Sequence, residues 1–391
     1  MRRFFIGFAG GAVLGYAAIR AREALADLHE PAPPLAPDPA AYGGVRRAFM
    51  LAGLARALAT SAATAYAVGP RLEPPAGSPE PRTRRVALVT AGLITTTLLE
   101  LPIDYVEGLV LERRYGLTKQ TPAAWLADRA KSLGVSLVLT VPLVEALAAA
   151  IGRAPQTWPL LATAGTLPLL VLANVVAPTF IAPLFNAFEP IEGAFADEIR
   201  ALAARYGAGD ATILRVDMSR QTEKANAYVT GLFGTKRIVI GDTLLDRFAE
   251  RETLFVVAHE LGHYVTRDVW RGVALATAAA AATFFGGRRM ARRPQETLAT
   301  TAGLARLGFC MSLVGTLAGP VLAAFSRNRE RAADLFAVAA TSDAASGAAA
   351  FRRLRERNLA EDEQPRWMEL LFSSHPSLGR RIAALEATPV A

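Results

Sequence analysis

Long apolar stretches alternate with polar segments along this chain of 391 residues. Most of them approach the roughly 20 residues that a helix needs to cross the hydrocarbon core of a bilayer, although the first and the sixth are short. The stretches lie at residues 4–19, 48–69, 86–104, 133–151, 159–182, 270–287 and 305–325. This pattern predicts a mainly α-helical, polytopic membrane protein with about seven transmembrane helices.

The first stretch follows Arg2 and Arg3, as the apolar part of a signal peptide would. No small-residue cleavage site followed by a polar mature start is evident after it. We therefore expect a retained helix, which is the first of the seven spans.

The polar block at residues 184–269 contains shorter predicted elements than the apolar stretches around it. Residues 194–206 carry Phe195, Ile199 and Leu202 on one stripe, which predicts an amphipathic helix. Short strands are predicted at residues 213–216, 225–232 and 236–240, with a turn at Gly234-Thr235 between the last two. The block is therefore expected to form a small α+β insert that ends in a further helix.

The pattern divides the chain into four predicted parts. They are a membrane region at 1–183, the α+β insert at 184–269, two transmembrane helices at 270–325 and a C-terminal helical part at 326–391. Two membrane crossings separate the insert from the C-terminal part, so both lie on the same side of the bilayer. Side chains from these two parts can therefore meet in one site.

Composition supports a membrane protein and indicates which partners the chain binds. Hydrophobic residues make up 52% of the chain, which is too apolar for an ordinary soluble enzyme. The formal net charge of +8 comes from arginines near helix ends, where they anchor proteins in anionic headgroups. These residues form no stripe with interleaved aromatics, so we expect a lipid bilayer and no nucleic acid as partner. The single cysteine, Cys310, excludes a cysteine-built metal site.

The candidate chemistry lies in the segment His259-Glu260-Leu261-Gly262-His263. On a helix the two histidines, four residues apart, lie on one face and can bind one zinc ion. Glu260 lies beside them, where a carboxylate can take a proton from zinc-bound water. The segment therefore predicts a catalytic zinc site on a helix.

A third metal ligand is expected downstream, within residues 326–334. Glu330 and Asp334 are four residues apart, so a helix would direct both carboxylates to the same place. We predict that Glu330 binds the metal and that Asp334 accepts a hydrogen bond from the second nitrogen of a ligand histidine, which fixes its tautomer. The segment is rich in arginine and by itself fits a solvated helix face. Its position downstream of the two histidines favours the metal-binding interpretation.

Together these pieces resemble the type I CAAX prenyl endopeptidase family, membrane-integral zinc metallopeptidases of the gluzincin type. Further similar segments lie at residues 112–121, 183–186, 226–228, 236–239, 374–376 and 380–382, so the resemblance spans residues 40–387. One departure is local. The family usually has small or histidine residues before the Asn-Ala-Tyr triplet, where this chain has Thr222-Glu223-Lys224.

The resemblance implies a peptide-hydrolysing enzyme with one zinc ion per chain, held by His259, His263 and Glu330. The substrate is expected to be a prenylated C-terminal CAAX tail or a membrane protein of another kind, and both remain open. The resemblance also implies that the catalytic side faces the cytoplasm, in the inner membrane of a bacterium or the endoplasmic reticulum of a eukaryote.

Two further groups are candidates for the reaction. His375, assisted by Arg381, is predicted to donate a hydrogen bond to the developing oxyanion, although a lone histidine beside a turn proline also fits a structural role. Asn226, Ala227 and Tyr228 are predicted to form an exposed strand edge that binds extended substrates through main-chain hydrogen bonds. An ordinary half-buried strand is the alternative for this triplet.

Two other functions remain open at this point. Acidic residues lie in or near the apolar stretches, where ionisable groups mark ion or substrate pathways, and they fit a channel or transporter. These residues are Glu100, Asp104, Glu107 and Glu145. In a protease the same acids are expected to line a water-filled cavity. A non-catalytic quality-control scaffold with a structural zinc site is the third possibility, and the intact Glu260 argues against it.

Overall fold

The computed structural model describes residues 15–16, 18–28, 33–75, 78–291 and 295–388. The span predicted at residues 4–19 therefore lies almost entirely outside the described residues. The longer helices are α1 (Pro39–Ala63), α2 (Arg82–Tyr105), α3 (Pro122–Arg153), α4 (Trp158–Val176), α5 (Ala194–Arg205), α6 (Glu250–Val265), α7 (Asp268–Ala291), α8 (Thr301–Thr341), α9 (Ala344–Arg357), α10 (Arg366–Phe372) and α11 (Leu378–Glu386).

Six helical segments of the described chain are long and apolar enough to cross a membrane. They are Pro39–Arg71, Arg82–Arg114, Pro122–Arg153, Trp158–Leu184, Asp268–Ala291 and Thr301–Thr341. Each of the last six apolar stretches predicted from the sequence lies inside one of them. The prediction of a mainly helical, polytopic membrane protein is therefore confirmed.

A four-stranded mixed sheet occupies the polar block between α4 and α6. Its strands are β1 (Phe188–Pro190), β2 (Thr212–Val216), β3 (Ala227–Thr230) and β4 (Arg237–Gly241), in the order β1-β2-β4-β3. β2 and β4 are parallel, whereas β1 and β3 run antiparallel to their neighbours. The three strands predicted from the sequence are present with shifted ends, and β1 is an additional strand. β3 forms one edge of the sheet, as predicted.

One hydrophobic core joins the sheet to the helices that follow it. Ile238 and Ile240 of β4 pack with Ile199 of α5, with Val257 and Leu261 of α6, and with residues of α9 and α11. All five of these side chains are buried. Because the core includes residues from both sides of the α7–α8 membrane pair, the insert and the C-terminal part form one packed unit.

The helix that carries both histidines stops before the membrane segment begins. α6 ends at Val265, and Arg267 has a left-handed backbone with φ of 57°. α7 then starts at Asp268. By contrast, α8 is continuous from its apolar half through Glu330 to Thr341. The predicted metal ligands therefore lie on helices at the ends of the sixth and seventh predicted spans.

Candidate metal centre

Three side chains bring ligand atoms together between α6 and α8. One ligand atom each from His259, His263 and Glu330 lies within 4.8 Å of the others. The Nε2 atom of His259 is 3.4 Å from Oε2 of Glu330, and the Nε2 atom of His263 is 3.4 Å from Oε1 of the same carboxylate. The spacing of four residues places both imidazoles on one face of α6. The three residues predicted as zinc ligands thus meet at one point.

A close contact between the two helices allows Glu330 to reach the histidines. Gly262 lies between the two histidine positions, and a Cβ atom at this residue would be 3.1 Å from Cα of Ala333 and from Cδ1 of Phe336. Glycine therefore lets α6 and α8 approach closely enough for the carboxylate to face both imidazoles.

The donor set fits a zinc ion. Oε2 of Glu330 is buried and accepts no hydrogen bond within the described structure, although a buried carboxylate oxygen normally has a partner. Two imidazole nitrogens and one carboxylate oxygen are the three protein ligands found in many catalytic zinc sites, where one coordination position stays open. A cation at this point would coordinate this oxygen, which accepts no hydrogen bond.

Each of the two histidines has a carboxylate on its other ring nitrogen. Nδ1 of His259 is 2.9 Å from Oδ1 of Asp334, and Nδ1 of His263 is 2.9 Å from Oδ2 of Asp268. Such contacts hold the proton on Nδ1 and leave Nε2 free for a metal. Asp334 therefore lies where the sequence analysis predicted it. Asp268 was not predicted, because it belongs to no motif and lies just before the sixth predicted span, which begins at residue 270.

Arg381 is buried beside the same carboxylates. Its guanidinium donates hydrogen bonds to Asp334, from Nε to Oδ2 at 2.9 Å and from Nη2 to Oδ1 at 2.6 Å. Nη1 lies 3.2 Å from Oε2 of Glu330, and the group stacks 4.1 Å above the ring of Phe351. Arg381 therefore neutralises part of the buried negative charge, and its predicted assistance to an oxyanion stays a prediction.

His375 lies at the open side of the cluster. Its Nε2 atom is 3.3 Å from Oε1 of Glu330, and its Nδ1 atom is 2.7 Å from the hydroxyl of Ser374. The side chain is 62% exposed, which differs from the buried structural histidine that was the alternative. Its exposure and its distance from Glu330 place it where a substrate could contact it.

The electrostatic environment acts on Glu260 and His259 in ways that suit metal chemistry. Loss of surrounding water raises the pKa of Glu260, which favours a carboxylate that can hold a proton. Burial opposes protonation of His259, but hydrogen bonds to Asp334 and Glu330 outweigh it and raise its pKa to about 9. The strong attraction of this pocket for positive charge is the same attraction that a bound cation would use.

A cavity of about 440 Å³ opens in front of the cluster. Its lining includes His259, Glu260 and Glu330 together with Asn226, just before β3, and Ala227, the first residue of β3. Tyr228 does not share this position, because it packs with Leu214 and Val239 on the opposite face of the sheet. The structure therefore brings two members of the Asn-Ala-Tyr triplet to the cluster and separates the third.

The acids of the membrane helices lie apart from this cavity. Glu145 forms two hydrogen bonds of 2.7 Å with Arg85, and Arg56 lies 3.6 Å from Glu100 and 3.7 Å from Glu107. Glu100, Asp104, Glu107 and Glu145 are all missing from the lining of the 440 Å³ cavity. A cavity lined by these acids stays a prediction.

Comparison with known proteins agrees with the fold and the cluster. Residues 192–389 match peptidase family M48, and residues 46–187 match the CAAX prenyl protease N-terminal region with five membrane helices. An uncharacterized metalloprotease, YhfN, from Bacillus subtilis is 29% identical over 75% of this chain and 71% of its own length. A CAAX prenyl protease 1 homolog from Oryza sativa is 30% identical over 77% of this chain and 73% of its own length.

A solved structure shows the same fold along nearly the whole chain. The crystal structure of S. mikatae Ste24p aligns with a TM-score of 0.73 over 98% of both chains, at 22% sequence identity. The helices, the cluster and these matches define a multi-pass membrane zinc endopeptidase. The chain belongs to peptidase family M48. The resemblance noted in the sequence is thereby confirmed, and the channel, transporter and scaffold alternatives are not favoured.

Proposed function

We propose that this protein cleaves peptide bonds near the C-termini of prenylated CAAX proteins, with one zinc ion held by His259, His263 and Glu330. The convergence of ligand atoms from His259, His263 and Glu330, whose buried Oε2 accepts no hydrogen bond, is the observation that carries the proposal. Relatives named as CAAX prenyl proteases support this substrate class.

Zinc bound here would supply Lewis acidity, which lowers the pKa of a water molecule and polarises the scissile carbonyl. Glu260 accepts the proton of the attacking water and then transfers it to the leaving amine. Its raised pKa assists both steps, because the group must hold the proton between them. Asp334 and Asp268 keep the two imidazoles in the required tautomer.

His375 is proposed to stabilise the developing oxyanion. Its Nδ1 atom faces the hydroxyl of Ser374, so Nε2 can carry the proton that points toward the cavity. A preorganised donor of this kind contributes more in a water-poor cavity than in bulk water. Arg381 supports the site indirectly, because it holds Asp334 in position.

The substrate is proposed to bind as an extended strand along β3. β3 pairs only with β4 in the described sheet, and the carbonyl of Asn226 accepts a hydrogen bond from the N–H of Gly241. In an antiparallel ladder the next residue directs its N–H and C=O to the other side. The main chain of Ala227 can therefore pair with a substrate beside the metal cluster. We further propose that the side of the membrane that carries the metal cluster faces the cytoplasm.

The test uses the full chain reconstituted in liposomes with a farnesylated CAAX peptide and the same peptide without the lipid. We expect zinc-dependent cleavage of the farnesylated peptide and much slower cleavage of the control. The Glu260→Gln variant defines the background. Equal cleavage of both peptides would disprove selection for the lipid. Failure to cleave either, together with zinc-dependent cleavage of membrane proteins, would disprove the CAAX substrate class.

A further inference from the structure

Helix α10, outside the metal cluster, exposes a set of large apolar side chains. Trp367 is 47% exposed, Leu370 52%, Leu371 43% and Phe372 37%. Glu369 lies on the side of the helix away from Trp367, Leu370 and Leu371, and it is buried. An apolar face of this size on a short helix is costly in water and indicates a contact surface.

The contacts of α10 place this face near the end of a membrane span. Arg327 of α8 is buried and donates hydrogen bonds to the carbonyls of Glu369 at 2.7 Å and Ser373 at 2.8 Å. On the apolar half of α8, Leu317 is 79% exposed and Val321 63% exposed. Because Arg327 fixes α10 about two to three helical turns beyond these residues, α10 lies near the end of the seventh predicted span.

A basic pocket of about 310 Å³ lies between α8, α10 and α11. Arg331 and Arg366 line it, are exposed, and form no ion pair with any described residue. Arg380 also lines the pocket and binds Glu369 at 3.0 Å. Leu370 belongs both to this pocket and to the exposed apolar face. The pocket therefore joins two free positive charges to an apolar surface.

We propose that α10 lies in the membrane interface and that the basic pocket binds the phosphate of an anionic phospholipid. Trp367, Leu370 and Leu371 would contact acyl chains, while Arg331 and Arg366 would bind the headgroup. Tryptophan and arginine are the residues that favour this depth of a bilayer. An interfacial helix turns its apolar side chains toward the acyl chains, while neighbouring basic side chains attract the anionic headgroups.

The position of Phe372 gives this surface a consequence for catalysis. Phe372 ends α10 and also lines the cavity in front of the metal cluster. If α10 is held at the lipid surface, the part of the cavity lined by Phe372 lies at the depth of the membrane interface as well. This inference is independent of the CAAX assignment, since it concerns the bilayer and not the substrate.

The first test measures the depth of α10 with spin labels in liposomes. Cys310 is buried and is the single cysteine of the chain, so Cys310→Ser gives a background for labelling. Nitroxides are attached at Leu371→Cys and, as a second reporter, Leu370→Cys. Leu317→Cys is the lipid control, and the exposed position Glu198→Cys on α5 is the water control.

Accessibility to oxygen and to a water-soluble nickel chelate separates the possible outcomes. We expect both α10 labels to lie between the Leu317 and Glu198 labels, with higher oxygen and lower nickel accessibility than the Glu198 label. Values like those of the Glu198 label would show that the face lines water and would overturn the proposal. Protection from both reagents would indicate a protein contact and would also overturn it.

The second test concerns the headgroup. We compare retention of phosphatidylglycerol and phosphatidylcholine by the purified protein with native mass spectrometry. The Arg331→Gln, Arg366→Gln double variant should lose preferential retention of phosphatidylglycerol by roughly tenfold. The matched control replaces Arg200 and Arg215, two exposed arginines of the insert, with glutamine. Equal retention by both double variants would disprove the phospholipid site.

Discussion

Glu260 is the residue at which metal binding and chemistry can be separated. It lines the cavity but is not one of the three residues whose ligand atoms converge. Glu260→Gln should therefore retain zinc and lose activity by roughly 10²–10⁴-fold, since the base is removed and the size is kept. Glu330→Ala should lose zinc on dialysis against a mild chelator. Elemental analysis and peptide cleavage measure the two effects. Near-normal turnover of Glu260→Gln would exclude it from the mechanism, and full zinc in Glu330→Ala would exclude the third ligand.

Asp268 and Asp334 should affect zinc affinity without binding the metal. Each accepts a hydrogen bond from one proposed ligand histidine at 2.9 Å. Asp268→Asn and Asp334→Asn should each weaken zinc binding by roughly 10- to 100-fold, because the imidazole becomes less basic and less well oriented. Competition with a fluorescent zinc chelator measures this affinity. Asp246→Asn, on an exposed ion pair with Arg215, is the matched control. Unchanged affinity in either test variant would reduce that aspartate to a structural role.

The spacing of residues explains why Asp334 could be predicted and Asp268 could not. Glu330 and Asp334 are four apart on a regular helix, so their shared direction follows from sequence alone. Asp268 reaches His263 only because the chain turns at Arg267, which has a φ of 57°. A positive φ at arginine is rare, and no local sequence signal indicates it. Arg329 also binds Asp268 at 2.6 Å, and this contact depends on the packing of α7 against α8.

The contact between α6 and α8 is the element that assembles the cluster. A side chain at Gly262 would meet Ala333 and Phe336 at 3.1 Å, whereas one at Gly272 on α7 would meet nothing within 4 Å. Gly262→Val should therefore separate the helices, destabilise the fold by about 1–3 kcal/mol and weaken zinc binding. Gly272→Val is the matched control. Thermal unfolding in detergent and zinc content are the readouts. Wild-type zinc binding in Gly262→Val would show that the close approach is not required.

Elements with a strong period could be predicted from the sequence, and those fixed by tertiary contacts could not. The predicted helix at 194–206 corresponds to α5, because Ile199 and Leu202 recur at helical spacing and are buried. β1 was missed because it has three residues and ends at Pro190, so it shows no alternation of its own. β1 becomes a strand only through its pairing with β2. Tyr228 was placed with Ala227 at the cluster, yet successive residues of a strand face opposite sides of the sheet. Asn226 lies just before β3, so this alternation does not decide its position.

At the scale of the whole molecule, the membrane helices and the catalytic elements support each other. Lys224, just before β3, forms an ion pair of 2.8 Å with Glu112 at the end of the second described span. The N–H of Glu223 donates to the carbonyl of Leu117 at 2.8 Å, and the N–H of Ala225 donates to Asn358 at 2.9 Å. Two separate regions, residues 112–117 and the end of α9, thus position the strand next to the cluster. Hydropathy predicted the spans, but it contains no information about these contacts.

The predicted insert, residues 184–269, should therefore fail as an isolated soluble enzyme. It contains His259, Glu260 and His263, but Glu330 and Asp334 lie on α8. It also lacks α9 and α11, which complete its hydrophobic core. We expect the purified fragment to bind zinc weakly, to be poorly folded by circular dichroism and to cleave no peptide. The full chain in liposomes is the positive control, and its His263→Ala variant sets the level for an incomplete site. Tight zinc binding and peptide cleavage by the fragment alone would show that the membrane helices are not needed to assemble the metal site.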